Sequence, residues 1–187
     1  MREERPLLIG VLQPARHRHG HNRPRATLAL AALGLAALSV AALADPAPRL
    51  VWNASASAPL GLYWVSHTVP SRGELVLAEL PPDARRLAAE RGYLPAGVPL
   101  VKRVVALGGD VVCAVDHAIS VNGQVVAQRL AHDRLGRLLP RWSGCRVLTD
   151  DELFLVMEDV PGSFDGRYFG PLQRAAVIGG LVPLRTR

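Results

Sequence analysis

Residues 99–110 read Pro99-Leu-Val-Lys102-Arg103-Val-Val-Ala-Leu107-Gly108-Gly109-Asp110, and this stretch decides the fold. It is rich in valine, opens after a proline and closes on a Gly-Gly-Asp turn, so it predicts a β-strand. On strand alternation Lys102 shares a face with Leu100, Val104 and Ala106, while Arg103 shares the other with Val101, Val105 and Leu107. Both faces carry apolar neighbours, so periodicity does not say which is buried. Lys102 is also the only lysine in the chain. Arginine cannot give up its proton in a protein, whereas a buried lysine can be driven neutral. At an unperturbed pKa near 10.4, holding lysine neutral at pH 7 costs about 4.6 kcal/mol. Burial among valines and leucines penalises the charged form comparably, which makes Lys102 a candidate general base. An ordinary solvated strand lysine is the plainer reading of the segment alone.

Similar segments continue on either side. Short apolar or alternating runs occur at 49–53, 61–66, 74–79, 110–115, 118–121, 124–128, 146–148, 153–158 and 175–184. Asn122-Gly123, between Ile-Ser-Val and Gln-Val-Val, predicts a two-residue hairpin because both residues tolerate positive φ. One short helix is expected at Pro82–Arg91, with Asp83 placed to cap it and Gly92 to end it. Residues 129–144 carry Arg134, Arg137, Arg141 and scattered leucines, and read as an irregular excursion. The chain from residue 49 onward is therefore mainly β, with one short helix.

Before it, Ala26 to Ala44 reads ATLALAALGLAALSVAALA without a charge. As a helix it would be roughly 28 Å long, against a hydrocarbon core of about 30 Å. Arginines precede it and Asp45-Pro46 follows, so the positive-inside rule puts the N-terminus in the cytoplasm. The expected organisation is a basic cytoplasmic tail at 1–25, a transmembrane signal-anchor at 26–44 and one periplasmic domain at 45–187. The competing reading is a cleaved signal peptide, since Ala42-Leu43-Ala44 resembles a cleavage site. His17, His19 and His21 read as part of the solvated cationic tail rather than as metal ligands.

The net charge of +6 is mostly a property of that tail, where six arginines stand against two glutamates. The remainder holds 16 basic and 14 acidic residues, and aromatic content is 5 %. Neither a basic face nor stacking platforms are indicated, so no nucleic-acid partner is expected. Cys113 and Cys145, the only cysteines, both follow the span and read as one disulfide of an oxidising compartment. No Cys-x-x-Cys occurs, so neither a zinc nor a redox site is expected.

Two further segments carry chemistry. Asn53-Ala-Ser55-Ala-Ser57-Ala-Pro59-Leu-Gly61-Leu-Tyr63 sets a serine between small residues and a Pro-x-Gly turn, close to the membrane exit. A serine hydroxyl is a poor nucleophile until a base takes its proton. His67, His117 and His132 are the only histidines beyond the span, and none lies in a recognisable motif. Pro161-Gly-Ser163-Phe-Asp165-Gly166-Arg167-Tyr168 offers Ser163 as a partner for a neutral amine. Asp165 and Arg167 can pair across the tight turn, which taken alone is a surface ion pair worth little. Asn53-Ala-Ser55 matches a glycosylation sequon, and we assign that match no function.

In the order Ser, Lys, Ser-x-Asp-x-Arg-Tyr behind an N-terminal anchor, these segments resemble the type I signal peptidase family of Ser-Lys proteases. The similarity covers most of residues 48–183. The family's general leader peptidases usually show Ser-Met-x-Pro and a Gly-Asp-Asn-Arg run. Here Ser57 is followed by Ala58-Pro59, and Met157–Gly162 lacks that run. The Asn53…Ser57-x-Pro-x-Gly-x-Tyr form, the short chain, the single anchor and the cysteine pair resemble the TraF-type conjugative-transfer branch. That resemblance implies a signal-peptidase-like β-sheet fold, with Ser57 as nucleophile and Lys102 as general base. It implies that Ser163 orients the amine, that Asp165 and Arg167 brace the site, and that the Ser57 N–H and the Ser55 hydroxyl hold the oxyanion. No cofactor is expected. The expected partners are membrane lipid and a pilin-like or signal-peptide-bearing precursor, and the expected state is a monomer. A general leader peptidase, a histidine-based hydrolase and a non-catalytic periplasmic component of a transfer apparatus are the alternatives.

Overall fold

The computed structural model describes residues 24–43 and 48–187. The basic tail before Pro24, with its three histidines, and the Asp45-Pro46 step lie outside the described residues. The chain divides into two units, before and after residues 46–47. The first contains helix α1, Pro24–Leu43, which carries no acidic residue in its first turn and no basic one in its last. Its segment Ala26–Leu43 has a mean hydropathy of 2.2, and none of it is buried against protein. By length and composition it can cross a membrane or serve as a signal sequence.

The second unit is mainly β, as the sequence indicates. Its strands are β1 Leu50–Asn53, β2 Gly61–Ser66, β3 Leu75–Ala78, β4 Leu100–Leu107, β5 Val111–Val115, β6 Ala118–Val121, β7 Gln124–Gln128, β8 Gly144–Val147, β9 Glu152–Leu155, β10 Leu172–Gln173 and β11 Val177–Thr186. Seven form one sheet in the order β1-β2-β11-β3-β4-β9-β10, and four form a second in the order β7-β6-β5-β8. Asn122-Gly123 makes the expected hairpin between β6 and β7, with Asn122 at φ +50°. Helix α2, Pro82–Glu90, forms where expected, but Asp83 does not cap it. Pro81 precedes the helix without a side-chain bond, and Asp83 pairs with Arg86 at 2.9 Å instead. A four-residue helix that the pattern could not show, α3 Gly166–Phe169, follows Asp165.

The position of β4 answers what periodicity left open. It lies inside the larger sheet, between β3 and β9, and both of its faces are covered. Leu100 and Val104 pack with Ala84 and Ala88 of α2 and with Val76, Leu153 and Leu155. Val105 and Ala106 meet Val112, Ile119 and Val121 of the smaller sheet. Val101 packs with Tyr63, Leu77, Met157 and Ala58, beside the loop that carries Ser57. Fully burying each such aliphatic side chain contributes about 1.5–3 kcal/mol, so β4 is a rigid base for whatever it carries.

The excursion at 129–144 is largely irregular, with one isolated bridge between His132 and Leu138. Its stem is closed by the Cys113–Cys145 disulfide, which joins directly opposed residues of β5 and β8. Arg129 donates through Nε to the Asp116 carbonyl and through Nη1 to the Trp142 carbonyl. Trp142 in turn donates Nε1–H to the Gly166 carbonyl at 2.9 Å, and the Leu130 N–H donates to Tyr168 Oη at 3.1 Å. The excursion thus presses on the turn that carries Asp165 and Arg167.

Candidate active site

Each segment singled out in the sequence delivers its side chain to one place. Ser57 lies on the loop 54–60 between β1 and β2 and is half-buried, so its hydroxyl stays open to an incoming chain. Lys102 projects from β4, opposite Val76 in the β3 register, and is 5 % exposed. Its Nζ lies 3.0 Å from Ser57 Oγ and 2.8 Å from Ser163 Oγ. Ser163 is itself buried, on the turn after Val160, whose carbonyl accepts the Ser163 N–H.

Burial drives the Lys102 amine down from its ordinary 10.5 to about 8; the Asp165 charge opposes this and the Arg167 charge adds to it. Deprotonation at pH 7 then costs about 1.4 kcal/mol, one pH unit's worth. As an ammonium, Lys102 donates to both serine hydroxyls. As the neutral amine it keeps an N–H for Ser163 and turns its lone pair toward the Ser57 proton. That arrangement suits general-base activation of a hydroxyl, which needs a base within about 2.6–3.2 Å. Among the described residues Ser57 Oγ has two hydrogen-bond partners, Lys102 and Ser55, and no histidine is one of them. His67, His117 and His132 are all exposed.

The Asp165–Arg167 pair forms as expected, but not at the surface. The two side chains are 0 % and 1 % exposed, with Arg167 Nη2 2.8 Å from Asp165 Oδ2. The pair is complete: Asp165 also accepts the Arg167 Nε–H and the backbone N–H groups of Arg167 and Met157. Arg167 spends its remaining donors on the carbonyls of Met157, Val160, Pro161 and Gln128. A buried pair costs several kcal/mol per ion in desolvation, and only such full satisfaction makes it tolerable. The pair fixes both ends of the 157–163 turn and so fixes Ser163 against Lys102. Gly166 belongs to the same packing, since a Cβ there would lie 2.7 Å from the Leu155 carbonyl oxygen and from the Phe154 ring. Close approach, rather than turn flexibility, explains the glycine.

The sequence model of the family described as "Signal peptidase, peptidase S26" matches residues 24–184, which include Ser57, Lys102 and the 163–167 turn. The chain belongs to the signal peptidase family. Within it the chain is of the TraF type. It is 36 % identical over 145 residues to the plasmid transfer protein TraF of Escherichia coli, covering 72 % of this chain and 81 % of that protein. A probable conjugal transfer protein TraF of Sinorhizobium fredii is 39 % identical over 139 residues, covering 68 % and 72 %. A crystal structure of a signal peptidase I from Enterococcus faecalis aligns at 20 % identity with a TM-score of 0.38, over 63 % of this chain and 100 % of that one. That superposition is too loose to carry an argument.

Asn53, which the sequence offered only as part of the Asn53…Ser57-x-Pro-x-Gly-x-Tyr form and of a sequon, has a structural place of its own. It is 4 % exposed, closes β1, and its side chain hydrogen-bonds the loop that carries Ser57 on both sides of that serine. The only signal in the sequence is its place four residues before the serine, which a chance sequon match obscured. Tyr63 adds a second tie, its buried Oη–H donating to the Pro59 carbonyl at 2.7 Å.

Proposed function

We propose that this chain is a membrane-anchored serine endopeptidase that cuts an exported precursor, a conjugative pilin, by Ser-Lys acyl transfer after small residues. The observation that carries the reading is the buried amine of Lys102, 3.0 Å from the Ser57 hydroxyl. The plasmid-transfer and conjugal-transfer names of the TraF relatives support the setting. Every group the reaction uses comes from one chain, so a monomer suffices.

Ser57 Oγ attacks the scissile carbonyl carbon while its proton passes to neutral Lys102 Nζ. The oxyanion takes hydrogen bonds from the Ser57 N–H and the Ser55 hydroxyl, donors whose individual loss costs about 2.7–4 kcal/mol in such sites. Collapse breaks the C–N bond, and the leaving amine takes the proton from Lys102. Water, deprotonated by the same amine, then resolves the acyl-enzyme. Ser163 holds Nζ on the Ser57 side throughout, and Asp165 with Arg167 holds Ser163. The substrate lies extended against a sheet edge, bound by main-chain hydrogen bonds. The arginine-rich leader stays in the cytoplasm, α1 anchors the chain in the inner membrane, and the β unit works in the periplasm, where its disulfide persists.

Ser57→Ala and Lys102→Ala should each abolish processing of a co-expressed pilin precursor while the protein still inserts in the membrane. Normal processing by either variant contradicts the mechanism. Growth of cells depleted of their own leader peptidase, restored by this chain, would instead assign it a general secretory role.

A further inference from the structure

Among the described residues, the Asn53 carboxamide is wired to more of the nucleophile loop than any other side chain. Oδ1 accepts the Ser55 N–H at 3.1 Å and the Ser55 hydroxyl at 2.8 Å. Nδ2 donates toward the carbonyls of Ser55, Ala58 and Pro59, each at 3.1 Å, so two N–H groups serve three acceptors. The backbone of Asn53 is meanwhile in register with Gly61 at the foot of β2. The residue is therefore tied through both backbone and side chain, and the seven-residue loop is folded around it.

The hydroxyl of Ser55 carries a single proton, and two groups compete for it. Ser57 Oγ lies 3.2 Å from Ser55 Oγ, farther than Asn53 Oδ1. A hydrogen bond donated to Ser57 Oγ would occupy a lone pair needed for attack. We propose that Asn53 is a positioning residue that acts through Ser55. In the resting site its Oδ1 keeps the Ser55 proton off the nucleophile, leaving Ser57 free to give its own proton to Lys102. When the tetrahedral intermediate forms, negative charge appears on the former carbonyl oxygen, and the Ser55 hydroxyl pivots from the neutral amide to that stronger acceptor. No bond to Ser55 forms or breaks; its proton changes partner and returns to Asn53 when the intermediate collapses.

This inference rests on the Ser-Lys reading above. The test is a double-mutant cycle on the full-length, detergent-solubilised chain, assayed with a fluorogenic peptide bearing alanine before the scissile bond. Asn53→Ala and Ser55→Ala should each lower kcat by about 10²-fold, the scale of losing one oxyanion donor, with KM changed by less than about threefold. The double variant should fall no more than about threefold below the weaker single, because both remove one interaction. Losses that multiply to about 10⁴-fold, or an Asn53→Ala enzyme with full kcat, overturn the inference. If Asn53→Ala lacks a cooperative melt, Asn53→Asp replaces it. The carboxylate keeps an acceptor for Ser55 but grips that proton harder, so the share of its kcat loss that runs through the Ser55 hydroxyl must vanish in the Ser55→Ala background, leaving a loss of no more than about threefold there. Ser57→Ala and Lys102→Ala run alongside. Turnover by either, or none by the wild-type chain, overturns the peptidase reading itself, whereas silence in both beside a fully active Asn53→Ala overturns only the role of Asn53.

Discussion

Replacing Lys102 by methionine keeps an unbranched chain of similar length and removes the only lysine. Burial holds the folded amine near 8, against an ordinary 10.5 in the unfolded chain. Between those values the unfolded chain keeps the proton and the folded chain releases it. Wild-type stability should therefore rise with pH through the window from about 8 to about 10.5. Below 8 both states hold the proton, and the folded one bears the full penalty of a buried ammonium, about 3 kcal/mol for a shift of this size. Methionine has no such dependence. It does leave Ser163 Oγ without its 2.8 Å partner, which shifts the variant's stability by a constant amount at every pH. The informative quantity is thus the change in the difference between the two proteins, not the difference itself. From pH 7 to pH 10 the wild-type chain should gain about 2–3 kcal/mol on Lys102→Met. That is about 4–12 °C in melting midpoint for a chain of this length. Thermal melts of both proteins in one detergent, at pH 7, 8, 9 and 10, read it directly. Parallel midpoints across that range would refute the burial argument, because they require a lysine whose proton affinity is unchanged by folding.

Three further outcomes follow from the packing around the site. Arg167→Met strands the Asp165 carboxylate in the interior, so the midpoint should fall by the equivalent of about 3–5 kcal/mol. With the repulsive guanidinium gone, the titration of Lys102 should also move to higher pH. Reducing the Cys113–Cys145 disulfide opens a loop with a sequence separation of 32 residues, a loss of about 4 kcal/mol in the chain-entropy model, read as a lower melt in the presence of a phosphine reductant. Gly166→Ser pushes a Cβ against the Leu155 carbonyl and Phe154. It should destabilise by about 1–3 kcal/mol of overpacking, and a melt equal to wild type would show that the turn can relax.

Much of this architecture was legible because the strands are short, valine-rich and separated by turn residues, and because one lysine stands among arginines. The hairpin at Asn122-Gly123 and the helix at Pro82 follow from backbone preferences that need no tertiary information. Burial was the quantity the sequence withheld. Asp165 and Arg167, two residues apart, look the same at a surface as in a core. Their interior position depends on carbonyls of Met157, Val160 and Gln128, the last contributed by β7 far away in the chain. Helix α3 is one turn long, too short to show a period, and exists because Asp165 caps it with a side chain already paired to Arg167. The contacts of Asn53 were hidden for a similar reason. Its buried amide makes five contacts, and only folding the loop back over it brings those partners within reach.

The most direct measurement is the pH dependence of kcat/KM for peptide cleavage by the solubilised chain, which reports the ionisations of the free enzyme. An amine at position 102 that titrates near 8 predicts a tenfold loss for each unit below that point and a plateau above it. A single inflection near 10.5, or one near 6.5 that belongs to a histidine, would contradict the account.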